Sequence, residues 1–197
     1  MSLSRVCTGP RLFVGALAAI TLFTYYQSQF SSPTSTMGDE TPLNGLKLSL
    51  AHVSGSSPPA LTAILTNDNT VPVTLLSYDS PLDPLSLQLG FLSILPDGKD
   101  EPIEVRKLHV RRIWPPTIEQ LITLAPGESA RNEIVIKPMV VSPEYLGPKA
   151  TFELKGKYQA VWLKDKHDID PPSLQDPRSS PGAVEGSFTS GKVDVKF

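Results

Sequence analysis

Apolar residues recur at every second position along much of this chain, the spacing of β-strands that bury one face and wet the other. Leu46, Leu48 and Leu50 share a side, with Lys47 and Ser49 opposite. After a turn over Gly55 to Pro59, Leu61, Ala63 and Leu65 form a second such face. Asn67-Asp68-Asn69 closes it, with side chains that tolerate left-handed backbone and bond their own main chain in Asx turns. Val71, Val73 and Leu75 continue beyond, and Pro72 places that strand at an edge or at its first residue. The strongest alternation is Leu85, Leu87, Leu89 and Phe91, followed by a Pro96-Asp97-Gly98 turn that leads to Ile103 and Val105. Pro115-Pro116 forces an extended corner, because the second proline disfavours helix at the first. Residues Thr117 to Gln120 fit one helical turn capped by Thr117. A turn at Ala125-Pro126-Gly127-Glu128 enters the strand of Ile134 and Ile136. Phe152, Leu154, Tyr158, Ala160 and Trp162 predict a long penultimate strand with a bulge at Gly156. The stretch from Asp165 to Ala183 is polar, holds four prolines and reads as an irregular loop. Phe188, Val193, Val195 and Phe197 supply a last strand.

Seven or eight short strands separated by turn residues predict an all-β fold, an antiparallel immunoglobulin-like β-sandwich over residues 45–197. Its expected core includes Leu48, Leu65, Leu75, Leu87, Ile134, Phe152 and Trp162, sharing the inner faces. Trp114, beside two prolines, reads either as a lid over one end of the sandwich or as an exposed contact residue.

The amino terminus follows a different rule. Arg5 and Arg11 lead into the apolar run Leu12 to Phe23, followed by Thr24-Tyr25-Tyr26. Basic residues ahead of such a run predict a signal peptide or a signal-anchor over 1–26. The run is short for a membrane span, which takes about 20 apolar residues, and no small-x-small cleavage site follows it. A Ser/Thr/Pro-rich linker over 27–44 separates it from the strands. The expected compartment is the secretory pathway, secreted or lumenal, with membrane contact only through residues 12–26 if they are retained. The alternative is a cytoplasmic protein whose translation starts at Met37.

Composition removes several function classes. Twenty prolines in 197 residues suit short strands and stiff turns and argue against long helices. A formal net charge of −2 offers no electrostatic footprint for nucleic acid. The local basic cluster Arg106, Lys107, Arg111 and Arg112 alternates with apolar residues and reads as a solvated strand face. Cys7 is the one cysteine, so no internal disulfide is available and an immunoglobulin-type Cys…Trp…Cys pattern is excluded. Asn44, Asn67, Asn69 and Asn132 all lack a hydroxyl residue two positions on, so N-glycosylation is not expected.

Three segments together resemble a known family: Leu61 to Pro84 (LTAILTNDNTVPVTLLSYDSPLDP), Val110 to Ser129 (VRRIWPPTIEQLITLAPGES) and Lys149 to Trp162 (KATFELKGKYQAVW). In order and spacing they are similar to the β-sandwich propeptide domain that precedes the catalytic domain in fungal deuterolysin-type zinc proteases, and to lone fungal proteins built from that domain. The resemblance implies a β-sandwich that works by contact, assisting folding and covering an active site. The protease half of that family needs His-Glu-x-x-His, two imidazoles one helical turn apart with a glutamate base between them. Here His52, His109 and His167 are far apart in sequence and none is followed by Glu. No functional residue is therefore carried over.

Other chemistries find no signature. Nucleophile elbow, Walker loop and dinucleotide glycine fingerprint are all missing from the sequence. Asp165, His167, Asp168 and Asp170 are the nearest thing to an acid/base or calcium cluster, but they sit in a proline-ended run of mixed charge that reads as a solvated loop. The expectation is a non-enzymatic binding module with a protein partner and no catalytic residue, metal or cofactor, in its specific form an inhibitor or chaperone acting in trans. Two alternatives stand beside it. One is an enzyme whose site, around His109, Asp165 and His167, assembles only in three dimensions; the other is a membrane-tethered lumenal structural domain.

Overall fold

A computed structural model describes residues 43–197. The predicted targeting segment over 1–26 and the linker up to residue 42 lie outside them. Nine strands follow in order: β1 (Leu46–Val53), β2 (Ala60–Asn67), β3 (Val73–Leu76), β4 (Leu92–Pro96), β5 (Leu121–Leu124), β6 (Ser129–Val135), β7 (Lys149–Trp162), β8 (Ala183–Thr189) and β9 (Val193–Lys196). One α-helical turn, α1 (Pro143–Leu146), precedes β7. All pairings are antiparallel, giving a three-stranded sheet β1-β2-β6 and a second sheet built on β7. Among the described residues, no helix is long and apolar enough to cross a membrane.

The alternation that predicted β1 and β2 places Leu61, Ala63 and Leu65 fully inside, with Leu48 opposite Leu65 but only half-buried. Asn67 ends β2 as expected. Its Oδ1 accepts from the Asn69 N–H at 3.0 Å, and its Nδ2 donates to the Val71 and Leu124 carbonyls, each at 2.9 Å. One buried amide thereby ties β2 of the first sheet to the second sheet. Pro72 sits just before β3, the first-residue alternative, since β3 pairs with β5 on one edge and β7 on the other.

β7 is the spine of the second sheet. Ala150 and Phe152 pair with both β4 and β9, and Val161 and Trp162 pair with both β3 and β8. Two short strands thus run end to end along each edge of one continuous strand. The expected single last strand is broken in the same way. β8 and β9 are separated at Ser190 to Lys192, where the Ser190 Oγ accepts from the Leu154 N–H at 2.9 Å and so fills a ladder position with a side chain.

The bulge in β7 is not at Gly156. The register shifts between Tyr158 and Val161. Gly156 serves packing instead. A Cβ there would lie 2.5 Å from the Phe188 Cζ, so glycine makes room for a ring that packs on Phe91 and Tyr158. The shift inverts the faces of the strand. Phe152, Leu154, Tyr158 and Val161 point into the core between the sheets, whereas Ala160 and Trp162 turn to the opposite face. Trp162 is fully buried, as expected, but in a second cluster with Leu76, Tyr78, Leu121 and Ile169 rather than on the inner face.

The proline-rich segment from Asp165 to Ala183 covers that second cluster. It forms three short 3-10 turns and inserts Ile169, Ser173, Pro177 and Ser180. Polar bonds fix it in place. The Trp162 indole N–H donates to the Ser180 Oγ at 2.9 Å, and the Thr74 hydroxyl donates to the Lys164 carbonyl at 2.7 Å. The outer face of the β7 sheet is therefore dry where this cover lies, which leaves β3 buried on both sides.

The strand predicted over Leu85 to Phe91 does not form. Residues 83–90 are wound into consecutive turns, with the Leu89 N–H on the Leu85 carbonyl at 2.8 Å and Gly90 at a positive φ of 75°. Leu87 is buried in the main core as expected, while Leu85 and Leu89 are half-buried. Local side-chain bonding from Asp83 and Ser86 outcompetes the ladder that the alternation implied.

Two outcomes follow from this packing. Phe152→Ala removes a ring at the centre of the main core and is expected to cost about 3–5 kcal/mol in urea unfolding. Burial pushes the Tyr158 hydroxyl above its ordinary value of 10.0, so the unfolded chain releases that proton first as pH rises. Its contribution to stability is complete below pH 10.0 and declines above it, by at most about 1.4 kcal/mol per pH unit. Urea midpoints between about pH 9 and pH 11 should fall more steeply for the native chain than for Tyr158→Phe.

Candidate interaction surface

The connection from β3 to β4 is organised by one carboxylate. Asp83 is 1% exposed. Its Oδ1 accepts the Leu85 N–H at 2.9 Å, its Oδ2 accepts the Asp79 N–H at 2.8 Å, and Oδ2 also takes the Arg112 guanidinium. Asp79 has a left-handed φ of 57°, which aspartate tolerates better than most residues. The Arg112 guanidinium also lies 4.9 Å from the centre of the Tyr78 ring, a cation–π contact. From the other sheet, the Asn132 Nδ2 donates to the Pro81 and Asp83 carbonyls at 3.0 and 2.9 Å. Three segments distant in sequence thus meet on one residue.

Arg112 was expected on a solvated strand face with Arg106, Lys107 and Arg111. The structure separates it from them: Arg112 is drawn in by Asp83, while the other three are exposed. The supporting strand is not a strand either. Between Pro102 and Ile113 the chain runs alongside β4 without forming a ladder. It is tied by the Ile103 N–H to the Ile94 carbonyl at 2.7 Å and by the Leu108 N–H to the Gln88 carbonyl at 2.8 Å. Between those ties the Lys107 stem lies over Gly90, the residue that an antiparallel register continued from Ile103 and Ile94 would place opposite it. Among the described residues, the backbone from Glu104 to Lys107 and from His109 to Trp114 makes no main-chain hydrogen bond.

This strap is apolar on its outside as well as basic. Leu108, Ile113 and Trp114 are 52%, 75% and 49% exposed, and Ile118 follows just beyond. Trp114 lies open to solvent, yet its indole N–H donates to the Gln175 carbonyl at 3.2 Å, joining the strap to the cover segment. Pro115-Pro116 makes the expected corner, with a cis bond between Trp114 and Pro115. The helical turn over Ile118–Gln120 is also present, but the Thr117 side chain does not cap it. The Thr117 hydroxyl instead lowers the pKa of the Glu119 carboxyl from its ordinary value.

The histidines take separate positions. His52 is half-buried on β1 opposite Leu61; His109 is exposed on the strap; His167 is exposed in the turn over Lys166–Asp168. Asp165 Oδ1 accepts the His167 backbone N–H at 2.9 Å, and Asp170 Oδ1 accepts the Ser173 hydroxyl at 2.9 Å, so both aspartates shape turns. Among the described residues, no group of three His, Cys, Asp or Glu side chains is gathered so as to hold a metal ion.

Two β-sheets packed face to face around a shared core, with antiparallel strands throughout, define an immunoglobulin-like sandwich. A family model described as an immunoglobulin-like domain matches residues 45–197, and the chain belongs to that family. It is also 30% identical over 141 residues to an uncharacterized secreted protein of Arthroderma benhamiae, an alignment covering 71% of this chain and 70% of the relative. The resemblance to a zinc-protease propeptide is not carried by either match.

The Asp83 arrangement makes an ordered expectation. Arg112→Ala leaves a buried carboxylate that still holds two backbone N–H donors, so it should cost about 2–3 kcal/mol, below the full penalty for breaking a buried pair. Asp83→Ala strands those donors as well as the guanidinium and should cost more. Equal or reversed losses in urea unfolding would show that the turns do not depend on the carboxylate.

Proposed function

We propose that this protein is a non-enzymatic binding module of the secretory pathway that engages a protein partner through the strap over residues 102–116. The observation that carries the reading is the backbone from Glu104 to Trp114, which among the described residues is paired only at Leu108 and carries exposed Leu108, Ile113 and Trp114. Unpaired strand-like backbone is a template for an incoming chain, and a half-exposed tryptophan in a fixed position is a common anchor of protein interfaces. Entry to the secretory pathway is supported by the basic-then-apolar amino terminus and by the secreted relative. A narrower version, supported by the order of the three segments resembling a protease propeptide, is an inhibitor or chaperone of a zinc protease acting in trans.

The test is affinity capture from native culture medium with the full chain, followed by a binding isotherm for the captured protein and a casein-hydrolysis assay in parallel. Saturable binding that weakens about thirtyfold in Trp114→Ala, the loss of about 2 kcal/mol expected of an interface anchor, supports the reading. Hydrolysis abolished by His109→Ala or His167→Ala would replace it with an enzymatic one.

A further inference from the structure

Beside the strap, β4 is the outermost strand of its sheet. Among the described residues its outer edge has no ladder partner, and the strap that runs along it leaves a groove of about 630 Å³. Leu92 and Ser93 of β4 form one side, Arg106 and Lys107 of the strap form the other, and Lys155 reaches in from β7. Gly90 at the groove's end has a positive φ of 75°, a conformation that L side chains rarely adopt, and the Lys107 stem lies over it. The charges are unbalanced. Arg106 and Lys107 have no ion-pair partner among the described residues, Lys155 meets only Glu153 at 3.6 Å, and Glu104 is the one acid in the lining.

We infer that this groove takes an extended, acidic segment of the partner protein. The inference rests on the binding-module reading and names the chemistry it recognises. The segment's backbone would pair with the free main-chain groups of Glu104 to Lys107, and its carboxylates would face the cations of the lining, Arg106, Lys107 and Lys155. An anionic lipid surface would satisfy the same cations, but it offers no ladder of donors and acceptors to a row of unpaired amides.

The test titrates the full chain with fluorescent octapeptides alternating Asp with Val or Lys with Val, and with phosphatidylserine vesicles. Saturable binding of the Asp/Val peptide alone is expected. Arg106→Glu with Lys107→Glu should weaken it about tenfold or more, since two attractive surface pairs become repulsive. Val105→Pro, which removes one free N–H, should also weaken it; the charge-reversed pair, at exposed positions, decides the matter if that proline unfolds the strap. Equal binding of both peptides, insensitivity to the charge reversal, or binding to vesicles alone would overturn the inference. The two readings fail separately. A captured partner that is lost by Trp114→Ala but retained by the charge-reversed variant leaves the strap as the interface and removes the groove. A partner retained by both variants removes the strap as well.

Discussion

A single buried carboxylate decides how one end of this sandwich is built. Asp83 sits almost wholly out of water with two backbone donors and a guanidinium on its oxygens. An isolated charge in that position would be prohibitive, and it is tolerable because two donors are already present in the native turns and the Arg112 guanidinium supplies the opposite charge. Asn132 then fastens the same turns to the opposite sheet. What lies downstream inherits this geometry: Arg112 is the point at which the strap is drawn back toward the core, and Trp114 is held two residues later. The arrangement favours a particular conformation more surely than it adds net stability, which is the better-attested use of buried ionic groups.

The other organising device is the register shift in β7. A strand of 14 residues with strict alternation would bury one face and wet the other along its whole length. One irregularity between Tyr158 and Val161 lets the same strand serve two cores. The cost is that the second face needs a cover, and the cover has to come from a segment with little regular structure. Prolines suit such a segment. Their fixed φ limits the entropy lost on ordering a chain that has few ladder bonds to hold it. The hydroxyls of Thr74 and Ser180 and the Trp162 indole supply the missing polar fixings.

Period-two alternation was a sufficient guide wherever burial was one-sided. β1, β2, β6 and the first half of β7 lie where Leu50, Leu65, Ile134 and Phe152 implied, and the Asn67 and Pro96 turns lie between them as expected. Two of its failures are physically distinct. Over Leu85 to Phe91 the alternation was real but subordinate to Asp83 and Ser86, whose side chains bond local backbone; the Asp-Pro pair just before the run was the available signal. At Trp162 the residue was correctly expected inside, but no pattern in one sequence reports a second layer, because that depends on where the segment after Asp165 folds back. Asn132 and Asn67, which join the sheets, resembled ordinary turn or surface residues for the same reason. The candidate surface was half legible. The basic cluster and Trp114 stood out from the sequence, whereas the separation of Arg112 from its neighbours depends on a partner 29 positions away.

That separation bears on the proposed binding role of the strap. Exposed, unpaired amides cost little in water, where solvent satisfies them, and a flexible loop bearing them would lose in ordering entropy most of what it gained from a partner. This segment is already restrained at Ile103, Leu108, Arg112 and Trp114, four points within 12 residues. The restraints are spaced so that the stretches between them keep their donors and acceptors free. A ladder to β4 would have restrained the chain more strongly and left nothing to offer; no ties at all would have left the amides free and disordered. Fixing the ends while sparing the middle meets both requirements, and it is the buried pair of Asp83 and Arg112, rather than any group on the surface, that makes the far end of the strap rigid enough to present its neighbours.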